Sequence, residues 1–207
     1  MPYSQAMSAT LGRQESLQRT SGEVMSDEAL LDLVARGDKR ALEVLLGRHN
    51  IRVYRFALRL LKDATAAEDV VSEVFIDVWR QAGRFERRSQ VSTWLLAIAR
   101  NKSLSVLRRR STEVLDSEVA EFIEDPADNP EVMMQKKQRS SVLQGCLTQL
   151  SPAHREIVDL VYYHEKSIEE VAEIVGVPEN TVKTRMFYAR KRMGELMASQ
   201  GIGRASI

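Results

Sequence analysis

The sequence has few of the residues that build disulfide scaffolds and metal sites. Its 207 residues contain one cysteine, Cys146, and three scattered histidines, His49, His154 and His164. A lone cysteine excludes an internal disulfide and a paired-cysteine metal site, and no histidine spacing indicates a ligand set. We expect Cys146 to be a buried structural thiol, and we expect the protein to hold no metal and no cofactor.

Long hydrophobic runs and catalytic motifs are also missing. The longest apolar run, residues 94–99, is far shorter than the roughly 20 residues that cross a bilayer. The first 26 residues lack the apolar core of a signal peptide, so we expect a cytoplasmic protein with no direct membrane insertion. There is no glycine-rich frame with paired carboxylates, no nucleophile elbow and no phosphate loop. The sequence therefore predicts no enzyme, no catalytic residue and no small-molecule substrate.

The chain has almost no excess of one charge, but its basic and acidic residues are segregated along the sequence. The net charge is only +1, with 30 basic and 29 acidic residues. Residues 84–110 carry eight basic side chains and one acid, whereas residues 111–135 carry eight acids and no base. This pattern predicts a surface for a polyanion followed by an acidic linker.

The most informative local pattern lies near the C-terminus. Ser167 and Glu170 are spaced as a capping box at the start of a helix. Ala172 is small where a second helix would pass closely, and Gly176 can take the left-handed conformation of a tight helix exit. Pro178 suits the first turn of the next helix. The pattern predicts a helix-turn-helix, whose second helix would enter the major groove of DNA.

The faces of that second helix differ sharply. Its predicted buried stripe is Val182, Met186, Ala189 and Met193. The opposite face carries the candidate DNA-reading residues Lys183, Thr184, Phe187 and Tyr188, with Lys191. An ordinary bundle of two amphipathic helices is the alternative, but the small residue, the glycine and the valine all fall at the positions that a helix-turn-helix requires.

Apolar residues recur at helical spacing elsewhere, and no stretch alternates like a strand. We predict helices at about 27–35, at 65–82 and at 91–110, then at roughly 132–149, 152–163, 167–175 and 178–197. A long helix between the first two of these has an apolar face that runs from Ala41 to Leu61. In the third helix we expect Thr65 to be the cap with Glu68 as its capping-box partner, and Trp79 to lie in the core.

The predicted fold class is all-α, with two small helical domains joined by an acidic flexible linker that contains Pro126 and Pro130. The C-terminal domain carries the helix-turn-helix. The predicted bounds are 1–25 for a flexible arm, 26–110 for the first domain, 111–131 for the linker, 132–198 for the second domain and 199–207 for a tail.

A second basic surface surrounds the segment from Phe85 to Trp94. Arginines, Asn101 and hydroxyl side chains lie near two aromatic rings, and these groups suit phosphates and unstacked bases. The alternative is a core role for the apolar residues with the arginines as a solvated face. For Trp94 itself we favour the core.

The two halves together resemble a sigma factor of the extracytoplasmic-function class, the small bacterial initiation factors. The resemblance is carried by AEDVVSEVF at 67–75, WLLAIARN at 94–101, LSPAHRE at 150–156, the helix-turn-helix, and TVKTR at 181–185 with Ala189 and Arg190. It covers about residues 27–197. It implies binding to core RNA polymerase, at its clamp helices and flap, and to promoter DNA, with an anti-sigma factor as regulator and the acidic linker directed toward the RNA exit path.

The resemblance also implies three contact surfaces. The −35 element would be read by Lys183, Thr184, Phe187 and Tyr188, while Arg185, Arg190 and Lys191 hold the DNA backbone. The −10 element would be bound by Phe85, Arg87, Arg88, Asn101, Arg108 and Arg109, with the 86–93 loop as the wall of a pocket for a flipped base. Core polymerase would be contacted by Glu68, Asp69, Glu73 and Asp77.

A stand-alone helix-turn-helix transcriptional regulator is the main alternative. Such a protein would need a dimerisation face or a ligand pocket, and it would not need the basic N-terminal helix or the acidic helix at 65–82. A protein that antagonises sigma factors by imitating their surfaces is disfavoured, because the basic recognition helix is intact.

Overall fold

The structure is a computed structural model that describes residues 25–113, 143 and 145–199, without the side chains of 111–113. Within these ranges every regular element is helical, which confirms the all-α prediction. The N-terminal domain contains α1 (Asp27–Ala35), α2 (Lys39–Leu61), α3 (Ala64–Gln81), a 3-10 turn (Ala82–Arg84) and α4 (Val91–Glu113). The C-terminal domain contains α5 (Pro152–Tyr162), α6 (Ile168–Val175) and α7 (Glu179–Ser199).

The predicted arm, most of the predicted linker, the helix at about 132–149 and the tail lie largely outside the described residues. The domain bounds therefore stay a prediction. At one junction the described chain is informative, because α4 continues to Glu113, past the end we expected at Arg110.

The core of the N-terminal domain is built around α2, which packs against α1, α3 and α4. Leu45, Val53 and Phe56 are almost completely buried and recur on one face of this helix. Asp38 starts α2, because its carboxylate accepts hydrogen bonds from the backbone N–H groups of Arg40 at 2.8 Å and Ala41 at 3.2 Å. Such caps satisfy amide donors that the first helical turn leaves unpaired.

The predicted cap of α3 is wrong. The helix begins at Ala64 after the N-cap Asp63, whose carboxylate accepts from the Ala66 N–H at 3.0 Å. Arg110 also donates to Asp63, at 2.6 Å. The backbone bond to Ala66 and the bond from Arg110 hold the pKa of Asp63 below its ordinary value. An aspartate two residues upstream thus displaces Thr65, because its charge binds both the amide and the guanidinium.

The prediction that Trp79 lies in the core is also wrong. The buried stripe of α3 runs through Val70, Val74 and Val78, each at about 1% exposure or less, whereas Trp79 is 37% exposed. Successive residues of a helix are about 100° apart, so Trp79 lies at the edge of the stripe. The hydrophobicity of a residue at the edge of a stripe does not show whether its side chain is buried or exposed.

The helix-turn-helix has the predicted local geometry. Ser167 Oγ accepts from the Glu170 N–H at 3.2 Å, and the Ser167 N–H donates to Glu170 Oε2 at 2.9 Å, so the capping box is confirmed. Gly176 ends α6 with φ of 70°, a conformation that side chains with a Cβ rarely adopt. At the start of α7, the carbonyl of Pro178 accepts hydrogen bonds from the backbone N–H groups of Thr181 and Val182.

The packing of α7 on the rest of the domain follows the predicted stripe. Val182, Met186 and Ala189 are buried, while Met193 is half-buried and Leu196 completes the covered face. Cys146 is a free, buried thiol as predicted. Among the described helices, none combines the length and hydropathy that a membrane crossing requires.

Candidate nucleic-acid interface

The outer face of α7 is exposed and carries the four residues predicted to read DNA. Phe187 is 63% and Tyr188 is 53% exposed, and their rings meet edge to face at 5.4 Å between centroids. Lys183 forms an ion pair with Glu179 at 3.0 Å, and the Thr184 hydroxyl donates to the Asn180 carbonyl at 2.8 Å. Large aromatic side chains left in solvent on a helix indicate a contact surface.

The cations predicted to hold the DNA backbone flank this face differently. Arg185 is half-buried, whereas Arg190 and Lys191 are exposed. Arg190 Nε donates to the hydroxyl of Tyr162, at the end of α5, at 3.0 Å. This hydrogen bond orients the guanidinium of Arg190 beside the exposed face of α7.

The proposed −10 surface begins at an aromatic pair. Phe85 is half-buried and packs on Trp94, with ring centroids 5.2 Å apart, and Trp94 packs against the core as expected. Arg87 takes a left-handed backbone with φ of 55° and forms an ion pair with Asp32 of α1. Both features fix the path of the loop before α4.

The rest of the proposed −10 surface lies on α4. Asn101 is exposed seven residues after Trp94, so both lie on one side of the helix about 10 Å apart along its axis. Asn101 and Arg108 line an open groove with Leu104 and Leu107. The other predicted cations, Arg88 and Arg109, are exposed, and Arg88 pairs with Glu86 at 2.7 Å.

The acidic residues of α3 form a separate surface. Glu68 and Asp69 are exposed, whereas Glu73 and Asp77 pair with Lys102 of α4 at 3.3 and 2.9 Å. The hydrogen bond to Asp77 is the main cause of a raised pKa of Lys102. Lys102 therefore braces α4 against α3, rather than joining the basic surface where its position in the sequence placed it.

The two domains meet through a polar network that sequence reasoning missed. Lys166, in the turn before α6, has only 3% of its side chain exposed. Its ammonium donates to Ser92 Oγ at 2.8 Å and Thr93 Oγ1 at 2.9 Å at the start of α4, and to Glu170 Oε1 at 2.7 Å. Thr93 in turn donates to Glu170 at 2.5 Å. We call these four residues the Lys166 network.

Further contacts continue the interface between the domains. Arg100 of α4 donates to Glu156 of α5 at 2.6 and 3.4 Å, and both side chains are largely buried. Arg59 of α2 pairs with Asp159 of α5. His164 packs edge to face on Phe56 of α2, with ring centroids 5.5 Å apart.

The surroundings of two titratable groups at this interface shift their pKa values. Burial alone would raise the pKa of Glu170, but hydrogen bonds from Lys166, Thr93 and the Ser167 N–H outweigh it and lower the pKa to about 2. Burial lowers the pKa of His164 to about 3, and the nearby cations, Arg59 first, add to that effect. His164 is therefore neutral and Glu170 charged at neutral pH. Thr93 lies 77 residues from Glu170, and Arg59, on α2, is remote in sequence from His164, which explains why no local pattern indicated these contacts.

Comparison with known proteins agrees with both halves of the structure. Residues 45–113 match the model of Sigma-70 region 2, and residues 140–193 match that of Sigma-70, region 4. The RNA polymerase sigma-H factor of Pseudomonas aeruginosa is 32% identical over 180 residues, which are 83% of this chain and 93% of that protein. The ECF RNA polymerase sigma factor SigW of Bacillus subtilis is 29% identical over 169 residues, 77% of this chain and 90% of that one.

A solved structure gives the same result. The sigma factor RpoE of Bartonella quintana, in complex with the anti-sigma factor NepR, matches with a TM-score of 0.62 and 29% identity. The match covers 75% of this chain and 96% of that one.

The helix-turn-helix with an exposed second helix, together with the two sigma-70 region matches, places this chain among the DNA-binding proteins of transcription. The chain belongs to the sigma-70 family of RNA polymerase sigma factors, in its extracytoplasmic-function class. It is an initiation factor that directs core RNA polymerase to promoters. The stand-alone regulator is not supported, because that alternative has no place for a sigma-70 region 2.

Proposed function

We propose that α7 reads the −35 element through Lys183, Thr184, Phe187 and Tyr188. The observation that carries this proposal is the exposure of two neighbouring aromatic rings on the helix that follows a capped turn. Apolar contact with thymine methyl groups and hydrogen bonds to base edges are available to this set. Arg185, Arg190 and Lys191 hold the flanking phosphates, which fix the register of the helix on the duplex.

The −10 element is bound by the basic surface before and along α4, through Phe85, Arg87, Arg88, Asn101, Arg108 and Arg109. An aromatic pair beside exposed amide and guanidinium groups supports this assignment, since a flipped base requires stacking and edge contacts to offset the lost base pair. Arg87 and Arg88 exchange their carboxylate partners, Asp32 and Glu86, for phosphates when DNA arrives.

Core polymerase is contacted by the acidic face of α3, through Glu68, Asp69, Glu73 and Asp77, at the clamp helices, while the C-terminal domain contacts the flap. Two exposed apolar side chains on the same helix, Ile76 and Trp79, support this assignment, because apolar area beside charge is typical of a specific protein interface.

An anti-sigma factor controls this protein, as NepR binds the similar RpoE. The protein acts in the cytoplasm, where core polymerase is found, and catalyses no reaction of its own.

The test is run-off transcription with purified bacterial core polymerase and a promoter library, with and without the chain. We expect transcripts that depend on the chain and share two DNA elements at a fixed spacing. DNA binding by the chain alone, with polymerase neither bound nor redirected, would contradict the proposal.

A further inference from the structure

We propose that Lys102 is a positioning residue for the −10 surface: its ion pairs with α3 set the rotation of α4 at Asn101, and thereby aim the Asn101 amide at the unpaired base. This inference rests on the proposed function, because it takes Asn101 as a contact to the −10 element. Lys102 itself touches no DNA in this mechanism and acts only through its neighbour.

The first argument is that the apolar packing of α4 becomes thin where Asn101 stands. One turn earlier, Leu95 and Leu96 are almost completely buried. The next buried residues of α4 are the small Ala99 and Ser103, both at 0% exposure, and the Ser103 hydroxyl has no hydrogen-bond partner within the described part of the chain. Small side chains let helices approach closely, but they form shallow ridges, so they resist rotation of α4 only weakly.

The second argument is that Lys102 supplies the missing restraint. Its ammonium lies 2.9 Å from Asp77 Oδ2 and 3.3 Å from Glu73 Oε2, and these two acids lie one turn apart on α3. The side chains of Lys102 and Asp77 are 28% and 18% exposed, so water screens this pair less than it screens a fully exposed one. A cation held by two carboxylates of a neighbouring helix fixes both the height and the rotation of α4 on α3.

The third argument concerns the place of Asn101 on the helix. Asn101 directly precedes Lys102, so its side chain projects about 100° away around the helix axis, on the exposed face where it lines an open groove with Leu104 and Arg108. A group about 5 Å from the axis moves by about 1 Å when the helix turns by about 10°. A recognition site tolerates only about 0.5 Å, so a slight loss of restraint at Lys102 misaligns the amide.

A phosphate contact by Lys102 itself fits the structure less well. A phosphate would have to draw the ammonium away from two carboxylates, and the hydrogen bond to Asp77 already raises the pKa of Lys102 above its ordinary value. Positioning leaves these ion pairs intact. It also leaves room for polymerase, because Glu73 is 52% exposed whereas Asp77 holds Lys102 from a more buried position.

The test separates promoter melting from the steps before it. The variants are Lys102→Met, which keeps the aliphatic stem without the charge, Lys102→Arg, which restores a cation, Asn101→Ala, and the double variant of Lys102→Met with Asn101→Ala. Asp77→Asn removes the carboxylate and keeps the lysine, and it is a second route to the same defect. The matched control is Lys39→Met, an exposed lysine at the start of α2.

Each full-length variant is combined with purified core polymerase and a promoter recovered from the run-off library. Titration measures polymerase affinity, binding to duplex promoter at low temperature measures closed complexes, and permanganate reactivity of unpaired thymines measures the rate of melting. Circular dichroism and urea unfolding establish that each variant is folded.

We expect Lys102→Met to melt the promoter about tenfold more slowly than the parent, while polymerase affinity and closed complexes stay the same and Lys39→Met behaves as the parent. Asp77→Asn should also melt slowly, and Lys102→Arg should recover most of the rate. Asn101→Ala should be slow, and the double variant should be no slower than Asn101→Ala, because the lysine acts through the asparagine.

Normal melting in Lys102→Met and Asp77→Asn beside a slow Asn101→Ala overturns the inference. Further slowing in the double variant also overturns it, and a fall of about 0.9 in the salt slope of Lys102→Met would then identify a phosphate contact. A loss of polymerase affinity that matches the loss of melting would make Lys102 part of the polymerase surface. Normal melting in Asn101→Ala contradicts the proposed function of the −10 surface instead.

Discussion

At the scale of single residues, the molecule separates side chains that hold the fold from side chains left for partners. Phe56 and Phe187 are both phenylalanines, yet the first is fully buried and the second is 63% exposed. An exposed ring on a capped helix contributes little to stability, so its removal tests recognition rather than folding.

Phe187→Ala should lower the preference of the holoenzyme for its −35 element over a scrambled one by about tenfold, or about 1.4 kcal/mol. Affinity for core polymerase should not change, because the ring is assigned to DNA. Competition binding with the two DNA sequences and titration with polymerase measure the two quantities. Ile51→Ala, which removes an exposed apolar side chain from α2, is the control and should alter neither. An equal loss of both affinities in Phe187→Ala would refute separate surfaces.

Among the residues of the interface, His164 has a strongly lowered pKa. It lies between Phe56 and Asp159, whose Oδ2 is 3.4 Å from Nε2. Its neutral form is enforced first by burial and then by surrounding positive charges, which lower its pKa from 6.5 to about 3. Those charges are Arg52, Arg55 and Arg59 on α2 and Lys166 before α6.

This lowered pKa predicts a loss of stability in mild acid. Below about pH 6.5 the unfolded chain takes up a proton at this histidine, whereas the folded chain does so only near pH 3. The stabilisation is therefore complete above pH 6.5 and declines as the pH falls from there, by about 1.4 kcal/mol between pH 7.5 and 5.5. Urea unfolding at the two pH values measures it. His164→Asn should lose this pH dependence, while the other histidines contribute equally to both chains; an identical slope in the variant would disprove the assignment.

At the scale of elements, the helix-turn-helix is stabilised by local rules. The capping box at Ser167 and the left-handed Gly176 fix the ends of α6, and the buried stripe of α7 fixes its rotation. Two glycines in this unit have opposite backbone requirements, because Gly176 has φ of 70° whereas Gly194 lies inside α7 with space for a Cβ.

Gly176→Ala should therefore destabilise the protein by about 1 kcal/mol, since an alanine pays a steric cost in the left-handed region. Gly194→Ala should stabilise it by about 0.5–1 kcal/mol, because alanine restricts the unfolded chain and favours helix. Chemical denaturation of both variants beside the parent measures these changes. A destabilising Gly194→Ala would mean that α7 ends before Gly194.

The elements also show which parts of the molecule sequence could predict. The helix-turn-helix was predictable because Ser167, Glu170 and Gly176 lie close together in sequence and act at the two ends of one short helix. The cap of α3 was missed because Asp63 gains its advantage partly from Arg110, 47 residues away. The interface between the domains was missed entirely, since Lys166 reads locally as an ordinary surface lysine and its burial depends on residues 90–93.

At the scale of the whole molecule, a net charge of +1 conceals a strongly polarised chain. Both proposed DNA surfaces carry several cations, while several carboxylates are paired with arginines inside the protein, as Glu156 is with Arg100. Binding to promoter DNA should then depend steeply on salt, because each phosphate contact releases counterions.

Arg190→Met should reduce the slope of log affinity against log salt by about 0.9 for the holoenzyme on promoter DNA, with the −35 preference unchanged. Filter or fluorescence binding across a salt series measures the slope. Tyr162→Phe, which removes the hydroxyl that orients Arg190, should weaken binding without altering the slope. Arg40→Met at the start of α2 is the control. A changed sequence preference in Arg190→Met would show that this arginine reads bases.

Glu170 uses its two oxygens for different tasks: Oε2 closes the capping box with Ser167, and Oε1 meets Lys166 and Thr93 across the interface. The two tasks impose unequal constraints on how this sequence can evolve. Lys166 could drift to a neutral residue in one step and loosen only the contact between the domains. Substitution of Glu170 is more constrained, because the start of α6 would still require a side-chain acceptor for the Ser167 N–H. Glutamine would keep an oxygen for the cap while removing the charge that meets Lys166, so this position can change the contact between the domains without losing the start of α6.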